Sequence, residues 1–228
     1  ILNDLTNLFY PHLCILCKNP LIEYEQQICL DCLCSLPKTN YHIHKGNPAR
    51  ALFAGFPQIN EVTAFLFFEK DGITQKLVHT FKYYNNKKLA EYVGRIAAIE
   101  LKEYGFYASV ETIIPIPLHR KKEKKRGYNQ SEQIANGIAS VYGCKTDKMT
   151  INRITDTESQ TRKSVFERHT NVENIFRLTD TEHLSGKHIL LVDDVITTGA
   201  TISACIDILA EIPGISISVF SLSIAMEN

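Results

Sequence analysis

The sequence predicts an α/β fold with a mostly parallel sheet and a small cysteine-rich module near its N-terminal end. Three observations carry that prediction. Short apolar runs suited to buried strands alternate with longer stretches of helical period, the pattern of strands joined by crossover helices. Two CxxC pairs stand close together before the first such strand. The composition, 228 residues with 44% hydrophobic and 22% charged, is that of a globular chain and excludes disordered, collagenous and coiled-coil readings. At ~100–200 residues per domain, this length accommodates one sizeable core and a satellite. We expect a module at 1–48 and an α/β domain at 49–228.

Taken in order, the first feature is Cys14-x-x-Cys17 followed by Cys29-x-x-Cys32, with Cys34 two residues on. A tetrahedral zinc site takes four soft ligands, and each CxxC turn sets two sulfurs on one side of the metal. Cys14, Cys17, Cys29 and Cys32 are therefore the candidate ligands of a structural zinc, with disulfides or free thiols as the alternative. His12, Cys34, His42 and His44 are spare donors, and a short hairpin through Asn19-Pro20 is expected between the pairs. Cys144 and Cys205 read as small buried groups.

Residues 61–69 (EVTAFLFFE) suit a strand, and Asp71-Gly72 opens a helical stretch through Leu77, Val78 and Phe81. Asn86 is placed to cap a helix over 87–104. An apolar run follows at 112–117, then a loop, a helix at about 130–142, a strand near 148–154 and a less regular segment through 175. The chain closes as strand (188–194), helix and strand (215–224). Ile202, Cys205, Ile206 and Leu209 make one core-facing stripe on that helix.

Strand 188–194 delivers two adjacent carboxylates, Asp193 and Asp194, into a Thr-Thr-Gly-Ala-Thr turn that opens the helix. In open α/β sheets, ligands bind at such carboxyl ends. The turn offers backbone N–H groups, the hydroxyls of Thr197, Thr198 and Thr201, and a helix N-terminus, all favourable to phosphate. Gly199 permits close backbone approach. Carboxylates repel phosphate, so the pair is expected to take hydrogen bonds from sugar hydroxyls or to hold hydrated Mg²⁺. Together these point to ribose plus phosphate.

The string LLVDDVITTGAT (190–201) closely resembles the phosphoribosyl pyrophosphate signature of type I phosphoribosyltransferases. By that resemblance Asp193 and Asp194 face the ribose hydroxyls and Thr197, Thr198, Gly199, Ala200 and Thr201 the 5′-phosphate, with Val195 also among the phosphoribosyl-binding residues. IPIPLHRKKEKKRGYNQSEQIA (114–135), HTFKYYNNKKLAEYVG (79–94), a looser pattern through Arg153, Thr155, Thr157, Gln160, Arg168 and Asn171, and the CxxC pairs are similar to the ComF (competence protein F) family. That resemblance spans the chain from about Leu8. It implies a zinc module joined to a fold of the type I phosphoribosyltransferase kind, Mg²⁺ with the ligand, and a part in the uptake of single-stranded DNA together with DNA-uptake proteins.

The formal net charge is zero, yet residues 70–130 hold 13 basic and 6 acidic groups, and residues 193–228 hold five acids and no Lys or Arg. The run 120–126 (RKKEKKR) puts six cations in seven positions. Arg120, Lys121, Lys122 and Arg126 are candidates for pyrophosphate or a DNA backbone, a solvated loop being the alternative. By the resemblance, Arg168, with Arg162 and Lys163, falls where related enzymes carry a closing lid. Asn129, three residues before Glu132, suits a capping box as well as a ligand contact. Phe81, Tyr83, Tyr84, Tyr92 and Tyr128 are candidates for base stacking or for the core.

Three functional readings follow: an active phosphoribosyltransferase, a non-catalytic single-stranded DNA-binding module, and a phosphoribosyl pyrophosphate sensor that signals to a partner through the zinc module. The nucleophile of an amidotransferase is not expected in a chain starting at Ile1 with cysteine pairs behind it. No apolar run approaches the ~20 residues that span a bilayer, and the expected location is cytoplasmic.

Overall fold

The computed structural model describes residues 11–43, 47–155 and 175–225. Two short helices, α1 (Leu30–Cys34) and α2 (Pro48–Ala51), precede β1 (Ile59–Phe68). Then come α3 (Ile73–Tyr83), α4 (Lys87–Glu103), β2 (Thr112–Pro115), α5 (Arg120–Arg126), α6 (Gln130–Tyr142), β3 (Lys145–Thr146), β4 (Ile151–Arg153) and β5 (Phe176–Leu178). The chain continues through β6 (His188–Ile196), α7 (Ala200–Leu209) and β7 (Ser216–Ala225).

Five strands form one sheet in the order β1-β7-β6-β2-β3, and every pairing in it is parallel. Because side chains alternate across a strand, neighbours in β6 enter opposite cores. Leu190 and Val192 join Leu77, Leu89, Val93 and Ile134 of α3, α4 and α6 on one face. Ile189 and Leu191 join Ile202, Ile206 and Leu209 of α7 on the other. Burial on both faces explains why this strand reads as a continuous apolar run.

The helices start and stop where local chemistry dictates. Asn86 caps α4 by accepting the Leu89 N–H at 3.0 Å. Gly143, left-handed at φ 74°, ends α6. The α4 and α6 helices pack through glycine: a methyl on Gly137 would run into the Glu91 carbonyl, and one on Gly94 into that of Ile134. Gly137→Ala is therefore expected to destabilise the fold by about 2–3 kcal/mol through overpacking. Urea unfolding measures this, and a loss below about 0.5 kcal/mol would show that the two helices separate freely.

Several expectations are corrected. Residues 120–126 form helix α5 rather than a loop, because Lys, Arg and Glu are good helix formers. His119 Nδ1 caps the first turn by accepting from Lys121 N–H, and left-handed Gly127 closes the last. The strand expected near 148–154 is the shorter β4, which pairs antiparallel with β5 in a separate two-stranded sheet. Asn129 caps α6 by accepting from Ser131 N–H at 3.1 Å. Glu132 does not close a box there; it accepts from Lys148 at 2.9 Å. Between the cysteine pairs, Leu13 bridges Pro20, so Cys14 to Asn19 make the turn and Asn19-Pro20 lies on the return. Residues Pro37 to Thr39 run antiparallel along the outer edge of β1.

Among the described residues, no helix is long and apolar enough to cross a membrane.

Candidate functional site

The sheet order creates the site. From β2 the chain continues outward to β3, and from β6 it continues to β7 on the other side, although β2 and β6 are neighbours. Connections leaving adjacent strands in opposite directions open a crevice at their carboxyl ends. The segment after β2, running through α5, and the turn after β6 both emerge there.

Asp193 and Asp194 stand at that end of β6. Asp193 Oδ1 accepts from the Ser131 hydroxyl at 3.1 Å and from Asp194 N–H at 2.8 Å. Asp194 Oδ2 meets Lys82 Nζ at 2.7 Å. Burial, with the charge of Asp194 second, pushes the Asp193 carboxyl up to about 7. Asp194 N–H, Ser131 and Lys82 oppose that rise without cancelling it.

A carboxyl raised in this way favours the folded state while neutral. That contribution is present below the ordinary Asp range and is lost as pH rises toward about 7. Asp193→Asn, which mimics the neutral acid, is thus expected to gain stability relative to wild type between pH 5 and pH 8. The gain is on the order of 1–3 kcal/mol. Denaturant titrations of both proteins at the two pH values measure it, and a difference that stays flat with pH would refute the raised carboxyl.

Gly199 follows in the left-handed region at φ 77° and starts α7. It is buried, and a methyl there would crowd the Phe53 ring at 3.3 Å. Thr197, Thr198 and Ala200 are exposed, Val195 and Thr201 partly so. The first-turn N–H groups of a ten-residue helix and the three threonines follow the carboxylates directly along the chain.

The basic run is divided by its helix. Lys122, Lys124, Lys125 and Arg126 line a cavity of about 390 Å³ with Lys82, Tyr83, Asn85 and Gly127. Arg120 instead lines a separate cavity of about 660 Å³, between His119 and the β4–β5 pair, where Lys148, Arg153 and Arg177 add cations. Lys121 is exposed. Arg168, with Arg162 and Lys163, lies outside the described residues. Of the aromatic candidates, Phe81 and Tyr128 are core, tied by a hydrogen bond from the Tyr128 hydroxyl to the Phe81 carbonyl. Tyr83 and Tyr84 are 63% and 73% exposed. The reading of sequence missed the contact of Lys82 with Asp194, and no local spacing could have revealed it. It also missed the cations of the larger cavity, which only the β4–β5 pairing assembles.

In the N-terminal module, Cys14, Cys17, Cys29 and Cys32 place their sulfurs within 4.8 Å of one another. Cys17 and Cys29 sulfurs are 3.6 Å apart, and none of the four is bridged. A tetrahedron of sulfurs ~2.3 Å from an ion has edges of about 3.8 Å, so the cluster fits a thiolate-bound metal. Burial opposes ionisation of Cys14, yet the N–H groups of Cys17, Cys29 and Leu16 prevail and hold its thiol down at about 6. Burial and the neighbouring sulfurs drive Cys32 far up. Thiols packed this closely ionise together only around a cation. Cys34 and His42 are not among the four, and His44 lies outside the described residues.

The profile of the phosphoribosyl transferase domain family matches residues 82–219. The chain belongs to that family. The phosphoribosyltransferase domain thus includes Lys82, the basic helix, the acid pair and β7 up to Val219. Among curated relatives, "DNA utilization protein YhgH" of Escherichia coli O157:H7 is 27% identical over 227 residues, covering 93% of this chain and 96% of the relative. "Competence protein F" of Haemophilus influenzae is 28% identical over 151 residues, covering 64% and 66%. This homology bears out the resemblance to the ComF family. Among solved structures, a hypoxanthine phosphoribosyltransferase from Staphylococcus aureus is 11% identical with a TM-score of 0.38, covering 59% of this chain and 62% of that one.

Proposed function

We propose that this protein acts in DNA uptake and that its phosphoribosyltransferase domain binds phosphoribosyl pyrophosphate with Mg²⁺ at the carboxyl end of β6. The observation that carries the reading is the acid pair held beside a glycine turn and a helix N-terminus in the β2–β6 crevice. Asp193 and Asp194 accept hydrogen bonds from the ribose hydroxyls, Ser131 and Lys82 orienting their oxygens. Thr197 to Thr201 donate to the 5′-phosphate through hydroxyls and backbone N–H groups. The hard carboxylate oxygens of Asp193 and Asp194 would suit Mg²⁺, which would supply positive charge to offset that of the pyrophosphate. The four cysteines hold a structural zinc that folds the N-terminal module. Relatives named for DNA utilization and competence support the role in uptake.

Calorimetric titration with phosphoribosyl pyrophosphate, with and without Mg²⁺, tests the site. Mg²⁺-dependent binding is expected, and its absence overturns the reading. One observation favours a second function: a cavity lined by five cations beside exposed Tyr83 and Tyr84 suits the backbone and bases of single-stranded DNA. Single-stranded oligonucleotide is then expected to bind with an affinity that falls linearly in log[salt]. Binding that ignores salt would exclude the cation-lined cavity as its seat.

A further inference from the structure

Lys82 belongs to two places at once. Its ammonium is 2.7 Å from Asp194 Oδ2, with the two side chains only 19% and 15% exposed. The same residue lines the 390 Å³ cavity that also receives Lys122, Lys124, Lys125 and Arg126. While Lys82 is drawn to Asp194, its charge is spent on the acid pair and the cavity feels four cations strongly and a fifth weakly. No other ion pair between the acid pair and a cavity cation is found among the described residues.

We propose that Lys82 is an ionic latch that couples the two sites: a sugar diol on the acid pair displaces it from Asp194, and the freed ammonium turns to phosphate bound in the cavity. This inference rests on the sugar-phosphate reading of the acid pair. A diol donates two hydrogen bonds to the carboxylates, so Asp194 keeps partners when Lys82 leaves and no buried charge is stranded. Moving one cation by a side-chain rotation raises the potential of a cavity already dense in positive charge. Linkage makes the effect mutual: phosphate in the cavity draws Lys82 over and leaves Asp194 open to the diol. Lys82 lies in the last turn of α3, and the helix ends at Tyr83, so the stem pivots without disturbing the core residues Leu77, Val78 and Phe81 behind it.

The test uses ribose 5-phosphate, which carries the diol without the diphosphate, and inorganic pyrophosphate as the cavity probe, in buffer without added Mg²⁺. In the wild-type protein, saturating ribose 5-phosphate is expected to tighten pyrophosphate binding about 5- to 20-fold, the lower part of the usual range for coupled sites. In Lys82→Met the ratio of the two affinities falls to about 1, and Lys82→Arg restores it in part. Asp194→Asn works in the opposite direction: with the latch weakened, pyrophosphate binds more tightly without the sugar and the sugar adds little. A merely structural ion pair predicts that ribose 5-phosphate does not tighten pyrophosphate binding in the wild type, since the opposite shifts of Lys82→Met and Asp194→Asn follow from charge alone. Coupling that survives in Lys82→Met, or a wild-type protein in which both ligands bind independently or competitively, overturns the latch. If calorimetry shows ribose 5-phosphate binding to the wild type neither with nor without Mg²⁺, the sugar-phosphate reading itself has failed and the latch falls with it.

Discussion

The Asp193→Asn/Asp194→Asn protein is expected to bind phosphoribosyl pyrophosphate in the presence of Mg²⁺ at least about 100-fold more weakly than wild type. Each carboxylate offers charge-assisted hydrogen bonds worth ~1.5–3 kcal/mol, so losing two removes ~3–6 kcal/mol. The fold tolerates the change. Asp193 is held by Ser131 and by a backbone N–H, and asparagine accepts both bonds through its carbonyl oxygen. Calorimetry on the folded double variant decides the matter, with near-ultraviolet circular dichroism as the check on tertiary structure. Affinity within about threefold of wild type would remove the acid pair from the site. If the crevice served only to hold phosphates, deleting two negative charges would strengthen anion binding instead. The sign of the change therefore separates a sugar-binding acid pair from a plain anion cradle.

Removing the metal from the cysteine cluster is expected to have the second large effect. Metal analysis of purified protein should give about one zinc per chain, and Cys17→Ser should lose it. The loss is on the order of 3 kcal/mol or more, because a site closed by four thiolates contributes its binding energy to folding. That corresponds to a fall in Tm of roughly 6–12 °C for a chain of this size. Cys14, Ile28, Cys29 and Leu36 share a core with Phe65, Leu77 and Val93. The N-terminal segment is thus bonded into the same apolar cluster as one face of the sheet, and its release should loosen α3 and α4 as well. Amide exchange resolves the order: protection disappears first across 11–36 and last in β6 and β7. Substoichiometric zinc in a fully folded protein would refute the structural metal.

Much of this architecture was legible before any coordinates. The continuous apolar run of β6 announced a strand covered on both faces, and its cover is α6 on one side and α7 on the other. Asn86 and Asn129 announced helix starts and are caps. In the basic run 120–126, six like charges suggest a solvated loop, but the His119 cap, the helix-forming side chains and Gly127 outweigh their repulsion. Phe81 and Tyr128 were open between core and base stacking, and burial decided for the core.

What the sequence determined by itself was local. Four cysteines within nineteen positions, and an acid pair, a glycine turn and a helix start within a dozen, carry their chemistry in short-range spacing, because backbone geometry alone sets where such neighbours point. What only the tertiary structure decided was partnership between distant segments. The placing of β2 beside β6, the division of the basic helix between two cavities, and the contact of Lys82 with Asp194 all depend on strand order and helix packing. Periodicity tells which face of an element is buried, but not which element will bury it.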